Sequence, residues 1–295
     1  MIPRQLSDWS VDALSAMLEK GIFEDESFDF KEMLPDTRND KDKDRLRKTC
    51  AAFANSEGGF LVLGVSNLKV ASARDRIVGI DQTIDFPEHF GNYPKSCYPS
   101  VGWEFRNPPL SFSNGRVVHI VQIPKSWRAP HAVAGTEGTW AFPKRTNKGN
   151  EPMSIEEVRS AFLGFYEKRL KLQLLRSELL AIDQNAQEVC ITDPEKIGTH
   201  YSLVSFDTAV VEAVIADTYS ITAGSLELHG AISRLRQAIR VANNKIHLFF
   251  NVAMQPLTNK EALVRDHNEF MQPLALQIRQ HCQTAITALD IVLRS

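Results

Sequence analysis

The spacing of apolar residues predicts short strands in the first half of the chain. Phe60 to Val65 is a short apolar run after a glycine pair, and residues 28–31, 101–105 and 117–123 are three further short candidates. Runs of this length between glycine or turn residues are typical of strands. Asn114-Gly115 stands between two apolar runs, which is a strong signal for a β-hairpin because both residues tolerate positive φ. The first half therefore predicts a β-sheet.

Helices are predicted around these strands. Ser10 precedes a short apolar-periodic segment and is placed to cap a helix. Residues 40–55 are charged at first and then apolar, as expected for a helix that enters the core by its C-terminal end. We expect Asn55 to cap that helix. Residues 154–157 form a capping box that opens the next helix.

From residue 162 onward the apolar spacing becomes helical. Two segments carry apolar residues in steps of three and four, namely Ile232, Leu235, Ile239, Ala242, Ile246 and then Leu274, Ile278, Ala285, Leu289, Val292. Such seams predict an antiparallel helical bundle. A linker is predicted at 183–203. The chain of 295 residues is long enough for two domains. We predict an α/β (α+β) domain at 1–165, with a mixed sheet flanked by helices, and an all-α helical bundle at 166–295.

Charge and composition limit the possible partners. The net charge is −2 and the pI is near 6.5, so any nucleic-acid contact has to come from a local patch rather than a global basic field. The four cysteines are isolated, without zinc-ligand spacing. Neither a signal sequence nor a membrane-spanning run is evident, which predicts a cytoplasmic protein without a membrane partner. A phosphate-binding loop is absent from the sequence as well.

One segment, 122–150, concentrates cations and aromatic rings. Its basic residues are Lys125, Arg128, Lys144, Arg145 and Lys148, and Trp127, Trp140 and Phe142 lie among them with Glu137 as the one acid. Cations neutralise phosphates, and exposed rings stack on unpaired bases. The segment therefore predicts a nucleic-acid contact. The alternative is that the rings belong to the core and the cations form a solvated rim.

Five short motifs follow one another in the first half of the chain. They are Glu24 followed after four residues by Asp29-Phe30-Lys31, then residues 52–65, 77–80, 121–131 and 140–145. In this order they resemble the core of the Schlafen family, also described as a divergent Alba-like (AlbA_2) domain, over about residues 8–165. The resemblance implies a nucleic-acid-binding domain and leaves the helical half unassigned.

The resemblance also implies a candidate catalytic centre. Some animal members of the family are ribonucleases that cut structured RNA such as tRNA, with three acidic residues that hold a divalent ion. Two of these positions correspond to Glu24 and Asp29, and Lys31 would add positive charge beside the phosphate. The third position falls at Ser66-Asn67, where Asn67 offers an amide oxygen. A Mg²⁺ or Mn²⁺ site would therefore use Glu24, Asp29 and Asn67.

Three hypotheses follow from the sequence. The leading one is RNA or DNA binding through the basic and aromatic segment. The second is a metal-dependent endoribonuclease that acts on tRNA-like RNA, as an effector against phage or in stress. The third is a protein-interaction module without nucleic-acid activity, in which the C-terminal helices mediate homo-oligomerisation or bind a protein partner.

Overall fold

The computed structural model describes residues 3–22, 24–35, 39–68, 72–112, 115–135, 138–191, 205–253 and 260–294. The chain divides into two compact units, Met1–Phe165 and Tyr166–Ser295. The predicted fold class is confirmed, because helices flank a mixed sheet in the first unit and a long helical region follows.

The first unit alternates helices and strands. Its helices are the 3-10 turn Leu6–Asp8, α1 (Val11–Glu19), α2 (Asp40–Asn55), α3 (Phe86–Lys95) and the start of α4 (Ile155–Ile191). Its strands are β1 (Phe28–Lys31), β2 (Gly58–Leu63), β3 (Ile80–Asp81), β4 (Glu104–Phe105), β5 (Leu110–Ser111), β6 (Arg116–Pro124), β7 (Val133–Ala134), β8 (Trp140–Ala141), β9 (Pro143–Thr146) and β10 (Gly149–Pro152). Ser10 caps α1 as predicted, since its hydroxyl accepts a hydrogen bond from the Ala13 amide.

The main sheet is built around β6. Its order is β1-β2-β6-β3, and β4 and β5 also pair with β6. β1 runs parallel to β2, with Phe28 opposite Phe60, while β2 and β6 are antiparallel. Among the described strands, β1 pairs only with β2. The backbone groups along its other edge are therefore not paired with a strand, and side chains can cover them.

Apolar side chains pack on both faces of this sheet. Phe28 and Phe30 lie on one face in a cluster with Trp9 and Leu14, whereas Leu61 of β2 packs on the other face with residues of α2 and α3. Because side chains alternate along a strand, Asp29 and Lys31 point to the face opposite Phe28 and Phe30. The strand pattern therefore places a buried carboxylate on the α2 side.

Asn55 has a different role from the predicted one. The prediction that it caps α2 is wrong, because it is the last helical residue and Ser56 occupies the capping position. Its amide group donates to the carbonyls of His131 at 2.9 Å and Pro143 at 2.8 Å, and accepts from the His131 amide at 2.6 Å. The side chain therefore joins α2 to two segments that are distant in sequence.

The structure also bears on the predicted hairpin and the predicted linker. β5 and β6 form an antiparallel pair with Gly115 at φ +73°, as a hairpin requires, although Asn114 lies outside the described residues. The linker predicted at 183–203 begins too early, because α4 continues to Ile191. Residues 192–204 lie outside the described ranges.

The second unit is helical throughout its described residues. It contains the rest of α4, then α5 (Ala209–Asp217), α6 (Tyr219–Thr222), α7 (Leu226–Ala253) and α8 (Lys260–Arg294). The predicted seams of α7 and α8 are buried, from Ile232 to Ile246 and from Leu274 to Val292. Arg279 of α8 pairs with Asp183 of α4 at 3.2 Å. Within the described part of the chain, every helix is too short or too polar to cross a membrane.

Replacing Asn55 with alanine should destabilise the first unit. The substitution removes three hydrogen bonds and leaves backbone groups of His131 and Pro143 without that partner, which costs about 2 to 4 kcal/mol. Urea unfolding followed by circular dichroism measures the loss. Asn67→Ala is the matched control, because Asn67 is exposed. Equal unfolding midpoints for the two variants would contradict this role of Asn55.

Candidate nucleic-acid interface

The three predicted catalytic residues lie together at the edge strand β1. Lys31 Nζ is 2.5 Å from Asp29 Oδ2 and 3.6 Å from Glu24 Oε1. Glu24 also folds back on the strand, where its Oε1 accepts a hydrogen bond from the Phe30 amide at 3.2 Å. Glu24 therefore covers part of the open edge of β1 while its carboxyl group faces Asp29 and Lys31.

Arg145 reaches the same place from β9. Its Nη2 donates to Asp29 Oδ1 and to the Phe28 carbonyl, both at 3.2 Å, and its Nε donates to the Asp25 carbonyl at 3.0 Å. Nη1 donates to Asn150 Oδ1 at 3.1 Å. With its side chain 3% exposed, the guanidinium cannot meet a phosphate from solvent. The prediction that Arg145 belongs to an exposed basic surface is therefore wrong.

This cluster contains two carboxyl groups and two cations. Burial, and then the hydrogen bond and charge of the neighbouring Asp29 carboxylate, raise the pKa of Glu24 to about 7, although Lys31 and Arg145 act in the opposite direction. Glu24 is therefore close to half protonated near neutral pH. The positive charges of Lys31 and Arg145 offset the charge on the two carboxyl groups, so the cluster is close to electrically balanced.

The arrangement does not fit a divalent metal ion. Asp29 is 1% exposed, with Oδ1 bound to Arg145 and Oδ2 ion-paired to Lys31. The third predicted ligand, Asn67, is exposed in the segment that follows β2. Over the described ranges, we find no set of three or more histidine, cysteine, aspartate or glutamate side chains positioned to hold a metal. Metal binding would need Lys31 to leave Asp29.

The other predicted cations have three different environments. Lys125 pairs with Glu57 and Lys144 pairs with Glu157, each at 2.6 Å. Arg128 is half-buried, whereas Lys148 is exposed. Ion pairs at a protein surface contribute only about 0 to 1 kcal/mol, so those of Lys125 and Lys144 can open at small cost. Lys125, Lys144 and Lys148 can therefore contact a phosphate from solvent, whereas Arg145 cannot.

The aromatic residues of this segment also separate. Trp127 stacks on Phe165, with ring centroids 5.7 Å apart, and Phe142 packs edge-on against Phe162. Trp140 instead is 56% exposed. It is therefore the one predicted ring of the three that presents a large surface to solvent.

Tyr98 is a candidate that sequence reasoning missed. It is 72% exposed, and its ring centroid lies 6.0 Å from that of Trp140. Its partner is distant in sequence, and its own neighbours are not basic except for Lys95. A long-range backbone contact brings the two rings together, and no local pattern indicates such a contact.

Comparison with known proteins finds one family model that matches part of the first unit. Residues 24–154 match the family model described as Schlafen, AlbA_2. The resemblance inferred from the sequence is thus confirmed for these residues. None of the curated proteins matches the chain significantly.

A similar solved structure is that of the DIP2311 protein from Corynebacterium diphtheriae. It shares 16% identity with a TM-score of 0.31, and the match covers 49% of this chain and 31% of that one. The chain therefore spans about a third of the length of that protein structure.

The raised pKa of Glu24 predicts that the free energy of unfolding depends on pH. The pKa of a glutamate is ordinarily 4.5, as in the unfolded chain, and that of Glu24 is about 7 in the folded protein. Between these values the folded chain binds a proton that the unfolded chain has lost, so the stability it contributes falls as the pH rises. Below 4.5 and above 7 the contribution is constant.

Glu24→Gln lacks this titration and still accepts a hydrogen bond through its amide oxygen. The free energy of unfolding of Glu24→Gln, minus that of the unsubstituted protein, should grow by up to about 3 kcal/mol from pH 4.5 to pH 8. Urea unfolding at a series of pH values measures the difference. A difference that does not change with pH would show that Glu24 is not perturbed.

Proposed function

We propose, on the premise that residues 24–154 belong to the Schlafen, AlbA_2 family, that the unit Met1–Phe165 binds nucleic acid. The observation that carries the proposal is the exposed ring of Trp140 on the segment that also bears Lys125, Lys144 and Lys148. Cations with an exposed aromatic residue between them are the combination that binds a sugar-phosphate strand and its bases.

The surface ion pairs are consistent with such binding. In the pair of Lys125 with Glu57 the side chains are 58% and 85% exposed, so both charges are largely hydrated before a ligand arrives. Phosphates along a strand carry more negative charge than one glutamate and release condensed counterions when they bind. A strand can therefore take the lysine while Glu57 returns to solvent.

The chain as a whole does not attract polyanions. With a net charge of −2, long-range attraction is weak, and binding depends on contacts within a Debye length of the exposed lysines. The proposed binding is therefore local and sensitive to salt.

Removing two exposed lysines from the segment 122–150 should lower the affinity for nucleic acid and also make that affinity less dependent on salt. Lys125→Ala combined with Lys148→Ala should reduce the slope of the logarithm of affinity against the logarithm of salt concentration by roughly 1.5. Fluorescence anisotropy with labelled single-stranded RNA and DNA, from 50 to 300 mM salt, measures the slope. The matched control is Lys20→Ala combined with Lys41→Ala, because both residues are exposed in the same unit and the charge change is identical.

Two results would contradict the proposal. One is the absence of binding by the unsubstituted protein at low salt. The other is an equal loss of affinity in the test and control variants, because a general charge effect would then replace a local contact.

A metal-dependent endoribonuclease is the second candidate. It is favoured by one observation, the adjacent carboxyl groups of Glu24 and Asp29, which are close enough for the charge of Asp29 to raise the pKa of Glu24. The ion pairs of Asp29 with Lys31 and Arg145 oppose it, because they occupy the oxygens that a metal would need.

Incubation with a divalent ion separates the two candidates. With Mn²⁺ or Mg²⁺ we expect the full chain to retain tRNA-like RNA without cutting it, because Lys31 and Arg145 already occupy the carboxylate of Asp29. Denaturing gels over a time course measure cleavage. Metal-dependent cleavage that disappears in Glu24→Gln would favour the nuclease instead.

The helical unit carries an additional apolar face. Within that unit the outer side of α4 exposes Tyr166, Leu170, Leu174 and Leu180, at 58%, 64%, 46% and 43%. Large exposed apolar residues along one helix are typical of association surfaces. Homo-oligomerisation or partner binding through these helices stays a prediction.

A further inference from the structure

The rings of Tyr98 and Trp140 are held on the same face of a small strand assembly. Tyr98 and Ala132 form two backbone hydrogen bonds, of 2.8 and 2.7 Å, and β7 pairs with β8 so that Ala134 lies opposite Trp140. Residues directly opposite one another in an antiparallel pair project to the same face, and so do Ala132 and Ala134, which are two positions apart. Tyr98 and Trp140 therefore flank two short alanine side chains from either side.

This assembly is anchored to the core beneath it. Val133, between the two alanines, is fully buried in the apolar cluster on the α2 side of the sheet, and Cys97 beside Tyr98 is in the same cluster. Asn55 binds both backbone groups of His131, immediately before Ala132. The segments that carry Tyr98 and Ala132 are thus anchored to the core.

The two rings nevertheless remain open to solvent. Their planes are inclined by 48°, with centroids 6.0 Å apart, and the side chains are 72% and 56% exposed. The other aromatic residues of the basic segment, Trp127 and Phe142, are covered by rings of α4. Two adjacent rings that are held in water by strands packed on the core are suited to binding flat apolar groups with little loss of entropy.

We propose that Tyr98 and Trp140 form a stacking platform for two unpaired nucleobases, so that the first unit prefers single-stranded nucleic acid to a duplex. This rests on the proposed function and specifies its ligand. Bases inside a duplex have both faces covered by their neighbours, whereas unpaired bases offer a free face to an aromatic side chain. The cations that follow Trp140, Lys144 and Lys148, supply the charge complementarity that an uncharged apolar partner would not use.

The test compares two ligands of the same sequence at one salt concentration. Anisotropy is measured for the full chain with a labelled 12-nucleotide single strand and with the corresponding blunt duplex. Tyr98→Ala and Trp140→Ala should each weaken single-strand binding about tenfold and leave duplex binding within about twofold. Tyr98→Phe and Trp140→Phe keep a ring and should retain most of the affinity. Tyr219→Ala, which removes another exposed ring, 61% exposed, should have no effect.

The outcomes separate this proposal from the one on which it rests. If the unsubstituted chain binds neither ligand, the proposed function itself fails. A second outcome is binding that is salt-dependent and weakened in the variant that combines Lys125→Ala with Lys148→Ala, while Tyr98→Ala and Trp140→Ala keep the affinity of the unsubstituted chain. That result overturns only the platform. Equal losses for single strand and duplex overturn it too, as does binding of a protein to the rings in place of a strand. Unchanged unfolding midpoints establish that the substituted proteins are folded.

Discussion

The buried ion pair of Arg145 with Asp29 determines what the surface of the first unit can present. Arg145 also donates to the main-chain carbonyls of Asp25, which precedes β1, and of Phe28, its first residue. Its guanidinium lies over the ring of Phe53. Removing Asp29 would leave the buried Arg145 guanidinium without its carboxylate partner, at a cost of about 3 to 5 kcal/mol, whereas without Arg145 the Asp29 carboxylate would still pair with Lys31. This contact fixes β9 against the edge strand and, with Glu24, covers backbone groups that an edge strand would otherwise expose.

Side chains alternate between buried and partly exposed along β9, so two neighbouring cations have opposite environments. Pro143 and Arg145 are buried, whereas Lys144 and Thr146 are partly exposed. The dipeptide Lys-Arg does not indicate which cation points inwards, because neither side chain is apolar. The buried partner of Arg145 is Asp29, which lies 116 positions away in the sequence. Helices and strands are predictable because they depend on local periodicity. The inward direction of Arg145 and the meeting of Tyr98 with Trp140 depend on long-range pairing, which a single sequence does not reveal.

The end of α4 illustrates the same limit. The linker is predicted to begin at residue 183, but α4 continues to Ile191, and its Asp183 pairs with Arg279 on α8. In the acidic cluster, Glu24, Asp29 and Lys31 lie together, and the chemistry that the resemblance implied depends on Asp29 being available to a metal. Lys31 and Arg145 pair with its two oxygens, so a metal ion would have to displace Lys31 from that carboxylate.

The half-buried amide of Asn55 connects the two groups of side chains that we propose to contact nucleic acid, the lysines and the pair of rings. Asn55 binds His131, which leads into the strand between the rings, and also the carbonyl of Pro143, at the start of the strand that carries Lys144. Phosphate contacts by lysine hold any strand, whereas stacking discriminates between paired and unpaired bases. Since the same side chain fixes the backbone under both groups, their spacing is set by the core rather than by the ligand. A strand that satisfies the lysines would therefore meet the rings without a further rearrangement of the protein, and selectivity for unpaired bases would not require a moving loop.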